Sequence, residues 1–312
     1  MNGIIVVNKP AGLSSNTVVG IVKKAVGAKK AGHLGTLDVL GDGVLPVTIG
    51  KATRLFDFFL SKSKTYVATF VFGFETETLD AEGRIVKTCK RGVELDDIQD
   101  ALCKFVGKQL QLPPQFSSKK IGGKSAYLLA RKGEEVLLKE KEIEIFSFKF
   151  LGEAREEERK ILLERFSKFH SDDELKKLNL LPIYKFEISC SAGTYIRSLC
   201  RDFAQHLGTC GTMLSITRTR CGVFDLSGAS SLEDVKNGNY VLVKPEEAVD
   251  LPSIEISSEQ KRDLLNGKIV TIEKPSGQFK LFCGGDFLGI VEVNNFKLKI
   301  KTFLLEEENE QG

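Results

Sequence analysis

The stretch YKFEISCSAGTYIRSLCRDFAQHLG, Tyr184 to Gly208, decides how the chain is read. Tyr184, Phe186, Ile188 and Cys190 alternate with Lys185, Glu187 and Ser189, and a side-chain period of two makes this a strand with one apolar face. Gly193 marks a turn. Beyond it Ile196, Leu199, Cys200, Phe203 and Leu207 fall on one helical stripe. Arg197 and Arg201, one turn apart, share a different face, and Arg197 sits in the first turn, beside the strand end.

Outward from this unit, strands and helices mix without repeats. Ile4 to Val7 reads as a short buried strand stopped by NKPAG, after which Ser14 or Ser15 caps a helix carrying Val18, Ile21, Val22 and Ala25. GAKKAGHLGTLDVLGDG, Gly27 to Gly43, reads as a long basic, glycine-rich loop, and long ordered loops are often functional. VLPVTIG then starts a strand, KATRLFDFFLSKSK has helical spacing, and Tyr66 to Phe74 reads as a central strand buried on both faces. Leu95, Ile98, Leu102 and Phe105 mark a helix that ends near Gly107. A thumb-like loop over about 115–135 sets Lys119, Lys120, Lys124, Arg131 and Lys132 beside Tyr127, which suits a phosphate backbone with an unstacked base and equally a solvated hairpin. A charged segment at about 152–180 reads as an inserted helical pair with little to bury besides Ile161, Leu162, Leu163, Phe166 and Phe169. Its mixed charge favours a neutral decoration over an RNA or partner contact.

From about Leu251 the texture changes to short strands, Ile269 to Ile272, Phe279 to Cys283, Phe287 to Val293 and Phe296 to Ile300, broken by NG, SG, GG and NN turns. The expected fold class is α+β: a mixed or antiparallel sheet with flanking helices in residues 1–250, and a small β-barrel-like domain in 251–312 with an acidic tail. A length of 312 residues, 42% hydrophobic and 28% charged, fits an ordinary soluble two-domain protein. The apolar run Ile4 to Val7 is too short for a signal peptide or a membrane span, so a cytoplasmic protein with no membrane contact is expected. The seven cysteines lie far apart without CxxC pairs, suggesting neither a zinc site nor disulfides, only reduced thiols. Net charge is +3, but residues 1–70 are distinctly basic. That imbalance fits a polyanion such as RNA, or lysines on a solvated face.

Three blocks carry a resemblance: GHLGTLDVLGDGVLPVTIGKATRL, KTYVATFVFG and CSAGTYIRSLCRDFAQHLG. Together with VNKPAG, TLDAEG, PPQFSS and YLLARKG they resemble the bacterial TruB type of transfer-RNA pseudouridine synthase, and the C-terminal β domain is similar to the PUA module ending many members. The resemblance implies an isomerase acting on the T-loop uridine at position 55 of tRNA, with no cofactor and no metal. It implies that Asp38 is the catalytic aspartate, that Arg197 of GTYIR pairs with it, and that Tyr66 lies against the target base. His33 would fill the space the base vacates. Lys29, Lys30, Lys64, Lys120 and Lys124 would meet phosphates and Tyr127 the RNA. A T-arm stem-loop is the expected partner and a monomer the expected state. Where the family has proline after the aspartate, this chain has Val39, with Gly41 and Asp42 beyond, so a more flexible loop is expected, and the 152–180 segment exceeds the family's usual length.

The chemistry explains the need for a carboxylate. Uridine must lose its N1–C1' bond, turn, and rejoin through C5, and something has to hold the intermediate. A carboxylate can add to C6, add to C1', or support an elimination, and all three routes stay open. An aspartate beside a stacked base also needs a cation, because burial alone raises its pKa. Extruding the base costs roughly a few kcal/mol that protein contacts must offset. The alternative class is an RNA-binding or RNA-folding module with little or no catalysis, and the joint presence of Asp38, Tyr66 and Arg197 speaks against it.

Overall fold

The structure, a computed structural model, describes residues 1–60, 62–116 and 138–304, with the backbone alone of 120–121 and 124–125. One large sheet organises most of it, with strands in the order Ser230–Ser231, Gly3–Lys9, Asp42–Ile49, Gly211–Cys221, Lys64–Phe72, Ile183–Cys190, Lys141–Glu153 and Gly107–Gln111. Neighbours along this path are antiparallel except at two junctions, Gly3–Lys9 with Ser230–Ser231 and Asp42–Ile49 with Gly211–Cys221. The second junction matters most. Its parallel pairing joins only Thr217 with Asp42 and Arg218 with Gly43, so the two halves of the sheet meet over a short seam. Gly43 is needed there: its φ is +101°, and a Cβ would strike the Arg218 carbonyl.

The helix Ile196–His206 covers one face of the antiparallel half. Its Leu199, Phe203 and Ala204 pack with Ala68, Phe70 and Phe72 of the central strand and with Phe186 and Ile188 of the next. Phe70 and Phe186 lie 4.9 Å apart by ring centroid, and Phe148 and Phe203 lie 5.0 Å apart. Aromatic pairs at such separations add about 0.5–1.5 kcal/mol each beyond area burial. The opposite face is covered by the inserted pair, Glu156–Ser167 and Asp172–Asn179, through Leu162, Phe166 and Leu178 against Val71, Ile183 and Leu214. A neutral decoration was expected here. Whatever its role, the pair covers the outward residues of a central strand, which are apolar and need a cover.

Other differences have local causes. Residues Ala31–His33 form a short strand paired with Val47–Ile49, so the glycine-rich loop is interrupted. The strand expected at Ile269–Ile272 is reduced to one bridge, Thr271 with Lys297. The C-terminal unit is a four-stranded sheet, Ser253–Glu255, Gly277–Cys283, Asp286–Asn294 and Lys297–Phe303, with a helix Ser258–Leu265. It has its own core of Ile254, Leu281, Leu288 and Val291. Ile290 and Leu304 also join a cluster with Leu55 and Phe59, and Arg54 Nη1 donates to the Phe303 carbonyl at 2.9 Å. Cys89 and Cys210 form a disulfide across 121 residues, with Cα atoms 5.9 Å apart, which corrects the expectation that all seven thiols are reduced. Among the described residues no helix is long and apolar enough to cross a membrane.

Candidate active site

Asp38 sits in the loop that fills the seam. Leu37, the residue before it, is clamped by the buried Ser15: the Ser15 hydroxyl donates to the Leu37 carbonyl at 2.8 Å and accepts from its amide at 2.9 Å. Gly12 N donates to the Val39 carbonyl at 2.7 Å, and Gly41 N to the Asp38 carbonyl at 3.1 Å. The Lys9 ammonium, fully buried, donates to the carbonyls of Pro10 at 2.9 Å and Gly41 at 2.5 Å. Burial lowers the Lys9 pKa to about 8. Despite Val39 and Gly41, then, this loop is tied at several points, contrary to the expected freedom.

The helix bearing Arg197 is placed by Gln111, whose buried amide accepts from Tyr195 N at 2.9 Å and donates to the Tyr195 carbonyl at 3.0 Å. Arg197 then reaches across. Its Nε lies 3.0 Å from Asp38 Oδ2 and its Nη2 donates to Asp38 Oδ1 at 3.2 Å, the two-pronged geometry that suits a guanidinium and a carboxylate. The remaining N–H groups go to Asp80 Oδ2 at 3.2 Å, the Thr78 carbonyl at 3.0 Å and the Phe116 carbonyl at 3.0 Å. Burial opposes the Arg197 charge, but Asp38 and Asp80 outweigh it and hold the pKa above the arginine norm. Asp80 is the mirror case: burial raises its pKa, and Arg197 counters only part of that. The Asp38 side chain keeps 38% of its surface exposed, against 7% for Asp80, so Asp38 is the carboxylate a ligand can reach.

Tyr66 is buried in the same cluster as Leu37. Burial pushes its phenol pKa well above normal, against the pull of Arg218, so the phenol stays protonated at neutral pH. Arg218 pairs with Tyr66 across the sheet, and its Nε donates to the Val44 carbonyl at 2.7 Å, its Nη1 to Thr36 at 3.2 Å and its Nη2 to Gly35 at 3.1 Å. It therefore shapes the loop leading to Asp38. Asp80, Arg218 and Lys9 were not singled out from sequence, although Arg218 had a signal: it follows Ile216 at the strand period, an inward position for a cation.

The remaining expected residues are dispersed. His33 is half-buried in its short strand with Nδ1 lacking a hydrogen-bond partner, and burial lowers its pKa. Lys29 and Lys30 are exposed. Lys64 is a correction: it is buried, and its ammonium donates to the carbonyls of Leu60 at 2.8 Å and Lys62 at 2.5 Å, which makes it a tether and not a phosphate contact. Lys120 and Lys124 lie in a two-strand pairing, their side chains outside the described residues, and Tyr127 lies outside them altogether. Arg201 turns to Asp202 and the Leu112 carbonyl, away from Arg197's ion pairs. Among the described residues no group of acidic, histidine and cysteine side chains could hold a metal.

A buried guanidinium thus joins two carboxylates beside the sheet seam. The N-terminal domain of the TruB family of pseudouridylate synthases matches residues 23–196, and the chain belongs to that family. It is 34% identical over 315 residues to the tRNA pseudouridine synthase B of Clostridium novyi (strain NT), covering 98% of this chain and 100% of the relative. It is likewise 34% identical over 312 residues to that of Aquifex aeolicus (strain VF5), covering 98% and 100%. A solved H/ACA RNP bound to a substrate RNA containing 2'-deoxyuridine superposes with a TM-score of 0.66 at 20% identity, over 98% of this chain and 86% of that one, which places the two in one fold.

Proposed function

We infer that the chain isomerises a uridine of transfer RNA to pseudouridine, with Asp38 as the nucleophile, and that the uridine is the T-loop base at position 55. Family membership and the full-length likeness to tRNA pseudouridine synthases support the reaction. The observation that carries the site is the Asp38 carboxylate gripped at both oxygens by Arg197 while much of its surface stays open. Arg197 aims the carboxylate, and its bonds to Asp80, Thr78 and Phe116 stop it from following the carboxylate as the base turns. Asp38 supplies electron density to C6 or C1', or supports elimination; the N1–C1' bond breaks, C5 bonds to C1', and the C5 proton leaves as N1 gains one. The protonated Tyr66 ring offers a stacking face beside Leu37 and a phenol for that proton traffic. His33, its pKa lowered by burial, suits a neutral plug for the vacated stack. Residues 251–312 serve in this reading as a PUA-like module that extends the RNA contact.

Incubation with an unmodified T-arm hairpin should give a carbodiimide-dependent reverse-transcription stop at one uridine, and Asp38→Asn should abolish it. Wild-type protein that yields no product on hairpin or whole tRNA would return the reading to an RNA-binding module.

A further inference from the structure

The inserted helical pair lies behind the candidate site, on the sheet face away from the helix that carries Arg197. It packs not only on the sheet but on the turn Thr76–Gly83, since Phe74 and Ala81 belong to the same cluster as Leu162 and Phe166. Where the two helices meet, Ser171 caps the second, and Ser171 N donates to Glu174 Oε2 at 2.8 Å. His170 stands just before that cap. Its side chain is 1% exposed, its ring is stacked on Phe166 at 3.7 Å with 7° between planes, and Nδ1 lies 3.8 Å from Glu174 Oε2. Nε2 lies 2.9 Å from the Ala81 carbonyl oxygen. A carbonyl only accepts, so Nε2 carries the hydrogen.

The peptide that His170 grips is the one that holds Asp80. Ala81 C=O and Glu82 N–H belong to a single rigid peptide plane. Glu82 N donates to Asp80 Oδ1 at 3.1 Å, and Asp80 Oδ2 accepts from Arg197 Nη1 at 3.2 Å. The turn has reason to move, because Leu79 has a φ of 63°, a left-handed conformation that a branched side chain seldom adopts. Rotation of the Ala81–Glu82 peptide would withdraw the amide from Asp80 and let the turn relax away from Arg197.

We propose that His170 is a positioning residue for Arg197: by fixing the Ala81–Glu82 peptide from behind, the inserted helices hold Asp80 and the Thr78 carbonyl where they clamp the guanidinium. The link to turnover rests on the reading of Asp38 and Arg197 above, whereas the brace itself is a matter of structure. In H170F, which keeps a ring for the Phe166 stack and removes the donor, single-turnover rate on tRNA should fall about tenfold while the tRNA Kd stays within about twofold. H170Q, with a donor in reach, should recover part of the rate. Amide exchange at Glu82 should accelerate in H170F. Unchanged rate or unchanged Glu82 exchange in a folded H170F overturns the proposal, as does a rate loss matched by an equal loss of tRNA affinity. If the wild type makes no product, the functional reading fails, and Glu82 exchange alone still decides the brace. If H170F does not fold, a cycle of H170Q with Asp80→Asn decides: non-additive effects on Arg197-dependent rate and on Glu82 exchange support the link, and additive ones refute it.

Discussion

Two guanidiniums are buried within the same half of the molecule, and they are used in opposite ways. Arg197 directs N–H groups to two carboxylates and two carbonyls, whereas Arg218 donates to the carbonyls of Gly35, Thr36 and Val44 and also meets the Tyr66 phenol. A cation among carboxylates fixes where charge sits; a cation among carbonyls fixes the path of the chain. The residues between Gly35 and Asp38 receive both services, Arg218 at the start of the stretch and Arg197 at its end.

That contrast can be broken by substitution. Arg197→Met leaves the Asp80 carboxylate buried without its cation, a defect typically worth about 3–5 kcal/mol, and turnover should fall on the order of a thousandfold, with less loss in Arg197→Lys. Single-turnover assays beside thermal melts would check it, and near-normal turnover in Arg197→Met would remove the ion pair from the mechanism. Arg218→Met strips donors from three carbonyls and should cost roughly 3 kcal/mol of stability with about a tenfold rate loss in the protein that stays folded. A rate loss equal to that of Arg197→Met, at full stability, would mean that Arg218 acts on the substrate and not on the loop.

Lys9 sharpens the same distinction, since it too donates to carbonyls but can lose its proton. Its folded pKa of about 8 lies under the ordinary 10.5. Between those values the unfolded chain holds a proton that the folded chain has released, so this group makes unfolding free energy rise with pH there. Lys9→Met should flatten that rise by no more than roughly 2 kcal/mol between about pH 7.5 and 9.5, read by denaturant melts. Parallel slopes for wild type and variant would show that burial does not depress the ammonium.

Periodicity made the strand and helix of Tyr184–Gly208 legible, because alternation and a helical stripe both follow from burying one face. The meeting of Asp38 with Arg197 was legible only through the resemblance, since 159 residues separate them and no local pattern joins them. Lys64 was misread because a lysine is exposed by default; here the strand register turns its ammonium onto the Leu60 and Lys62 carbonyls. Cys89 and Cys210 gave no spacing cue across their long separation. The charged insertion concealed its purpose because Leu162, Phe166 and Leu178 are few among many ions, yet they are the ones that cover Val71 and Leu214.

The C-terminal sheet is seated on Leu55 and Phe59 through Ile290 and Leu304, and Arg54 latches its last strand. Those residues lie just downstream of the strand that follows Asp38. The two surfaces therefore stand at a set spacing, as the jaws of a gauge do.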